Sequence, residues 1–219
     1  MNILSTAQRG AHSCTVSNAA TAAAHFQGEA SREPIGAAAV LSLAKFSNIA
    51  GVDQRVIRAG QASGVIPRLD LFTVVDLISR PVLRNLTMGG HPVPVLRAVA
   101  ATPDTTSDPR PYRGFKMGAS MADTLAAVDR WWTPPGRDSI MRAGGFLVAS
   151  GTVIVAVVYV SGYIEDAGQL HYEAKLAGVL REGDNVEHDG DAPADWRDLA
   201  DAVIGKRVLG GQGGNFTRL

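Results

Sequence analysis

The chain has 219 residues, with 21 basic and 21 acidic side chains and one cysteine. That length holds one domain or two small ones, and 46% apolar residues are enough for a packed core and too many for general disorder. A lone Cys14 excludes an intramolecular disulfide framework, and a net charge of zero argues against a strongly basic binder or an acidic solvating tail. The charge is nevertheless divided. Residues 1–164 carry 15 Lys/Arg against 10 Asp/Glu, a balance of +5, while residues 165–219 carry 6 against 11, a balance of −5. The bases thicken from Arg55 to Arg142, which fits either a face that meets phosphate or an ordinary solvated surface.

Residues 1–33 are rich in Ser, Thr, Asn and Ala without a sustained apolar period, and read as a flexible arm. They show neither a basic leader nor an apolar segment of the kind a signal peptide needs. From Pro34 the spacing of Val40, Leu41, Leu43, Ala44 and Phe46 predicts a helix to Asn48. Gly51 breaks it, and Asp53 caps a second helix reaching Ala62. Leu69–Ser79 is a further helix or strand, stopped by Pro81. Five prolines and four glycines between 89 and 118 predict extended pieces and loops, with a linker at 102–118. Ala119–Trp132 has a helical period, ended by Thr133-Pro134-Pro135-Gly136.

Ala143–Ile164 contains no charge and is long enough to span a bilayer as a helix. Its residue types favour strands instead: Val, Ile and Tyr dominate, and Ser150-Gly151 stands where a hairpin would turn. The expectation is a buried hairpin of Phe146–Ala149 and Thr152–Tyr159, with a membrane span as the alternative. Gln169–Leu176 alternates as a half-buried strand, a short helix follows from about Asp195 to Ile204, and 206–209 and 215–219 are closing strands.

The run Leu43–Gly60 is laid out as a helix-turn-helix. Ala44 and Phe46 pack from one helix, Ala50-Gly51-Val52 turns, and Val56 with Ile57 packs the other. Gln54, Arg55 and Arg58 then face outward beside Asp53; Gln pairs with adenine and Arg with guanine in a major groove. The competing reading is a plain helical hairpin. Further on, Trp131-Trp132, an apolar hairpin, an alternating strand and a Gly-Lys-Arg…Gly-Gly-Gln-Gly-Gly-Asn ending come in an order that resembles the PUA-like β-barrels (the PUA, ASCH and EVE group), over residues 131–219. That resemblance implies an RNA or modified-base partner, with Trp132, Tyr159, Tyr163 and Tyr172 as stacking candidates and Gln212 and Asn215 as selectivity groups. On the residues alone, the same aromatics read equally as core.

Other chemistry is poorly supplied. Asn185, Glu187 and Asp189 alternate before Gly190 as in a calcium loop, but the closing position is Trp196, so an acidic turn is expected. The five histidines show no zinc spacing, Ser79, His91 and Asp76 lack a nucleophile-elbow context, and neither phosphate-binding glycine motif occurs. The reading is an α+β protein: a helical N-terminal unit at 34–101, then a small, strongly curved mixed sheet or barrel at 119–219. It is a non-catalytic, cytoplasmic binder of DNA or RNA, without cofactor or metal. The alternatives are an assembly protein forming homo-oligomers and a single-span membrane protein.

Overall fold

A computed structural model describes residues 39–103, 110, 112–132, 137–209 and 216–218. The expected arm at 1–33 lies outside them. Three short helices come first: α1 (Leu43–Ala50), α2 (Gln54–Ala62) and α3 (Leu71–Ser79). Each begins on a side-chain cap, Ser42, Asp53 and Asp70, whose oxygen accepts an amide hydrogen left free in the first turn. Small strands follow: β1 (Thr87–Met88), β2 (His91–Pro92), β3 (Pro94–Ala98), β4 (Thr102–Pro103) and β5 (Tyr112–Arg113). Then come α4 (Met121–Val128), β6 (Arg130–Trp132) and α5 (Arg137–Ala143). The long hairpin is β7 (Gly145–Ser150) and β8 (Val153–Asp166), continued by β9 (Gln169–Leu180), β10 (Val186–Glu187), α6 (Ala194–Val203) and β11 (Phe216–Arg218).

The main sheet has seven strands, in the order β10-β9-β8-β7-β3-β11, with β6 also paired to β9. Most pairs are antiparallel, but β3 runs parallel to β7, so the sheet is mixed. With six helices alongside it, the class is α+β, as expected. The expected strong curl or barrel is absent: the sheet is open. Helices cover both of its faces, so its apolar side chains are buried by a layer on each side rather than by closure. On one face Phe146, Val148, Val153, Val155 and Val158 meet Phe46, Ile57, Val74 and Leu77 from α1–α3. On the other, Leu147, Ala149, Ile154 and Val157 meet Trp196, Leu199 and Val203 from α6. Burial from both sides is why residues up to Val160 lack charge and read as one continuous apolar run, while Tyr163 and Ile164 at its end are exposed. Among the described residues, no helix is long and apolar enough to cross a membrane.

Residues Ala37–Leu219 form one compact unit. The segments expected as a helical unit and a β-rich unit share one sheet, because β3 lies between β7 and β11. Within the expected linker, β4 and β5 pair as a hairpin and Phe115 is buried. The first helix is shorter than the spacing suggested, since Val40 bridges to Asp70 as extended chain. The expected helix at 119–132 ends at Val128, and its last residues turn into β6 against β9.

Arg207 ties the helices to the sheet. It is buried, and its guanidinium donates to the carbonyls of Ala50 and Ile78, both 3.4 Å away, at the C-terminal ends of α1 and α3. A cation is favourable where helix carbonyls are left unpaired. Burial pushes its pKa below the usual arginine range.

Candidate nucleic-acid interface

The turn between α1 and α2 is fixed by a few specific contacts. Gly51 takes the left-handed conformation (φ 64°, ψ 34°), which a side chain would strain. The Val52 amide donates to the Ser47 carbonyl (3.1 Å), and the Ser47 hydroxyl donates back to the Val52 carbonyl. Asp53 accepts from the Arg55 amide at 2.7 Å and starts α2. Phe46, Ala50 and Ile57 are buried between the two helices and the sheet. Over 43–60 the chain therefore forms a helix, a tight turn at Gly51 and a second helix.

α2 is set firmly on the rest of the molecule. Its glycine, Gly60, lies against Ile66, where a Cβ would come within 2.6 Å of the Ile66 side chain. The buried Ser63 hydroxyl donates to the Gly60 carbonyl (3.0 Å) and accepts from Ser150 on β7 (2.8 Å). These contacts consume the inner face of α2 and leave the outer one free. Gln54, Arg55, Arg58 and Gln61 are exposed. At 100° per residue they occupy an arc of about 120°. Neither Arg55 nor Arg58 has an ion-pair partner among the described residues. From residue 39 to 69 the four bases Lys45, Arg55, Arg58 and Arg68, all exposed, face one acid, Asp53, which caps the helix.

The second set of expected site residues is dispersed. Tyr172 belongs to the core: it is 1% exposed, its ring centroid lies 6.1 Å from that of Phe146, and burial pushes its pKa up to about 12. It faces inward because β9 alternates, and a base could stack on it only if the core opened. Tyr159 is half-buried against Trp196, with ring centroids 5.9 Å apart. Tyr163 is exposed near the far end of β8, with the Arg137 guanidinium 5.3 Å from its ring centroid. The backbone of Trp132 pairs with Leu170, while Gln212 and Asn215 lie outside the described residues. Tyr163 stands ten residues beyond Val153 on β8, a span of about 33 Å in a strand. Since Gly151, just before β8, packs on Gly60 of α2, the two candidate groups sit at opposite ends of that strand.

A cleft of about 500 Å³ between α3 and the turn after β9 has no counterpart in the sequence motifs. Its walls come from five separate stretches of chain, so no local pattern marks it. Asp189 and Asp191 lie in the expected acidic turn, and no cluster of potential metal ligands occurs among the described residues. Compared with known proteins, the chain matches no family, no curated protein and no solved structure.

Proposed function

We propose that the protein binds double-stranded DNA by placing the outer face of α2 in the major groove, and does so without catalysis. The observation that carries this reading is the free, cofacial set Gln54, Arg55 and Arg58 on a helix whose inner face is locked to the sheet. A rigid platform presents such groups with little further loss of entropy on binding. Gln54 and Arg58 suit base edges, and Arg55 with Lys45 suits phosphate. DNA is favoured over RNA because an α-helix enters the major groove of B-form DNA, whereas that of A-form RNA is deep and narrow. A cytoplasmic location accords with the single cysteine.

Binding of the full chain to labelled duplex DNA, duplex RNA and single strands across a salt series tests the reading. Duplex DNA should bind tightest, with affinity falling steeply as salt rises. Equal affinity for all three, or no binding, would remove it. Self-association is the second reading, favoured by four exposed apolar residues on α3: Leu71, Phe72, Val75 and Ile78. Light scattering across a dilution series tests that one, and a mass equal to one chain at every concentration contradicts it.

A further inference from the structure

We infer that the cleft between α3 and the turn after β9 binds a small organic cation, an apolar body carrying an ammonium or guanidinium group. The cleft holds about 500 Å³, within the range of small-molecule sites. Its floor is apolar and belongs to the core: Ile66, Leu77, Val153 and Leu180 are each 3% exposed or less. Phe72 stands at its side with 63% of its surface exposed, an unusual placement for a large aromatic ring and a ready contact for an apolar or cationic group.

The rim decides the sign of the charge. Both arginines of the cleft are tucked back and occupied. Arg80, 18% exposed, donates to Asp76 (2.9 Å), to Asp184 (3.0 Å) and to the Gly205 carbonyl (3.2 Å). Arg181, 19% exposed, donates to Glu187 and to the Ala119 carbonyl. The accessible groups are carboxylates. Asp76 and Asp184 each leave 58% of the side chain exposed, and the exposed Glu182 carboxylate has no partner among the described residues. An incoming anion would therefore meet carboxylate oxygens ahead of any arginine. A cation would meet the Glu182 carboxylate and the Asp76 oxygen that Arg80 does not engage, with its apolar body over Leu77 and against Phe72. This cleft lies on the connection between α2 and α3, but its occupancy does not depend on the DNA reading.

Three probes of similar size separate the possibilities: 2-phenylethylammonium, 2-phenylethanol and 3-phenylpropionate, each titrated calorimetrically into the full-length chain. The ammonium should bind about fivefold more tightly than the alcohol, the effect of one partly exposed charge contact, and the carboxylate should bind weakest. Glu182→Gln, a change at an exposed side chain, should remove most of the difference between ammonium and alcohol. Phe72→Ala should weaken both. Binding of the carboxylate as tight as the ammonium overturns the proposal, as does no preference between ammonium and alcohol, no binding by any probe, or ammonium binding unchanged by both substitutions.

Discussion

α2 and α3 are each nine residues long and lie on the same face of the sheet, yet their outer surfaces are opposite in character. α2 exposes Gln54, Arg55, Arg58 and Gln61; α3 exposes Leu71, Phe72, Val75 and Ile78. Both bury an inner arc, Ile57 and Gly60 on α2 and Val74 and Leu77 on α3. The inner arcs account for folding. Folding does not require charge on one outer arc and greasy side chains on the other, so the difference points to two kinds of contact: a polyanion for α2, and apolar surface with a cation for α3.

The sharpest break in this comparison is between the two arcs of α3 itself. Leu77→Ala should cost about 2–5 kcal/mol, because it opens a cavity in the core. Val75→Ala, on the outer arc, should stay within about 0.5 kcal/mol. Urea denaturation of both variants checks this, and similar destabilisation would mean that the outer arc of α3 is structural after all. Next in size is Arg207→Met. The Ala50 and Ile78 carbonyls are deprived of a charged donor, and the expected cost is about 1.5–3 kcal/mol. The same variant should leave the α2 surface chemically intact, so DNA affinity measured below the melting transition should change little.

A smaller effect concerns the start of α3. The Asp70 carboxyl is held below its usual range, chiefly by the Thr73 amide it accepts, at 2.7 Å. A carboxyl with a depressed folded pKa adds stability above its unfolded value, about 3.9, and that contribution fades as pH falls through the folded value. Asp70→Asn should therefore flatten the decline of melting temperature below about pH 4. Melting curves recorded from neutral to acid pH check this, and equal acid profiles for Asp70→Asn and the parent would contradict it.

Much of α2 was legible in the sequence because its signals are local. Asp53 is a cap, Gly51 is where the chain needs a positive φ, and Val56 and Ile57 mark the inner side. The β7–β8 hairpin was legible for a similar reason, its β-branched residues interrupted by Gly151. The division of α4 from β6 was not, since Trp132 continues the apolar period of the helix while its backbone pairs with Leu170 on β9. Nor was the place of β3, whose parallel partner β7 lies some fifty residues on. Tyr172 illustrates the limit for sites: an aromatic on an alternating strand reads the same whether it faces solvent or core, and only the covering layer decides. The cleft beside α3 shows the opposite case, a site with no local pattern because Ile66, Phe72, Val153 and Asp184 meet only in three dimensions.

The central claim is that the outer arc of α2 contacts DNA, and the most direct measurement compares the parent chain with an Arg55→Ala/Arg58→Ala variant on duplex DNA by fluorescence anisotropy over a salt series. Both side chains are exposed and without ion-pair partners among the described residues, so the variant should keep the parent's melting temperature. Its affinity should fall, and the slope of log affinity against log salt should become shallower by about one for each arginine that meets a phosphate in the parent complex. A variant that binds duplex DNA with the parent's affinity and the parent's slope would contradict the account.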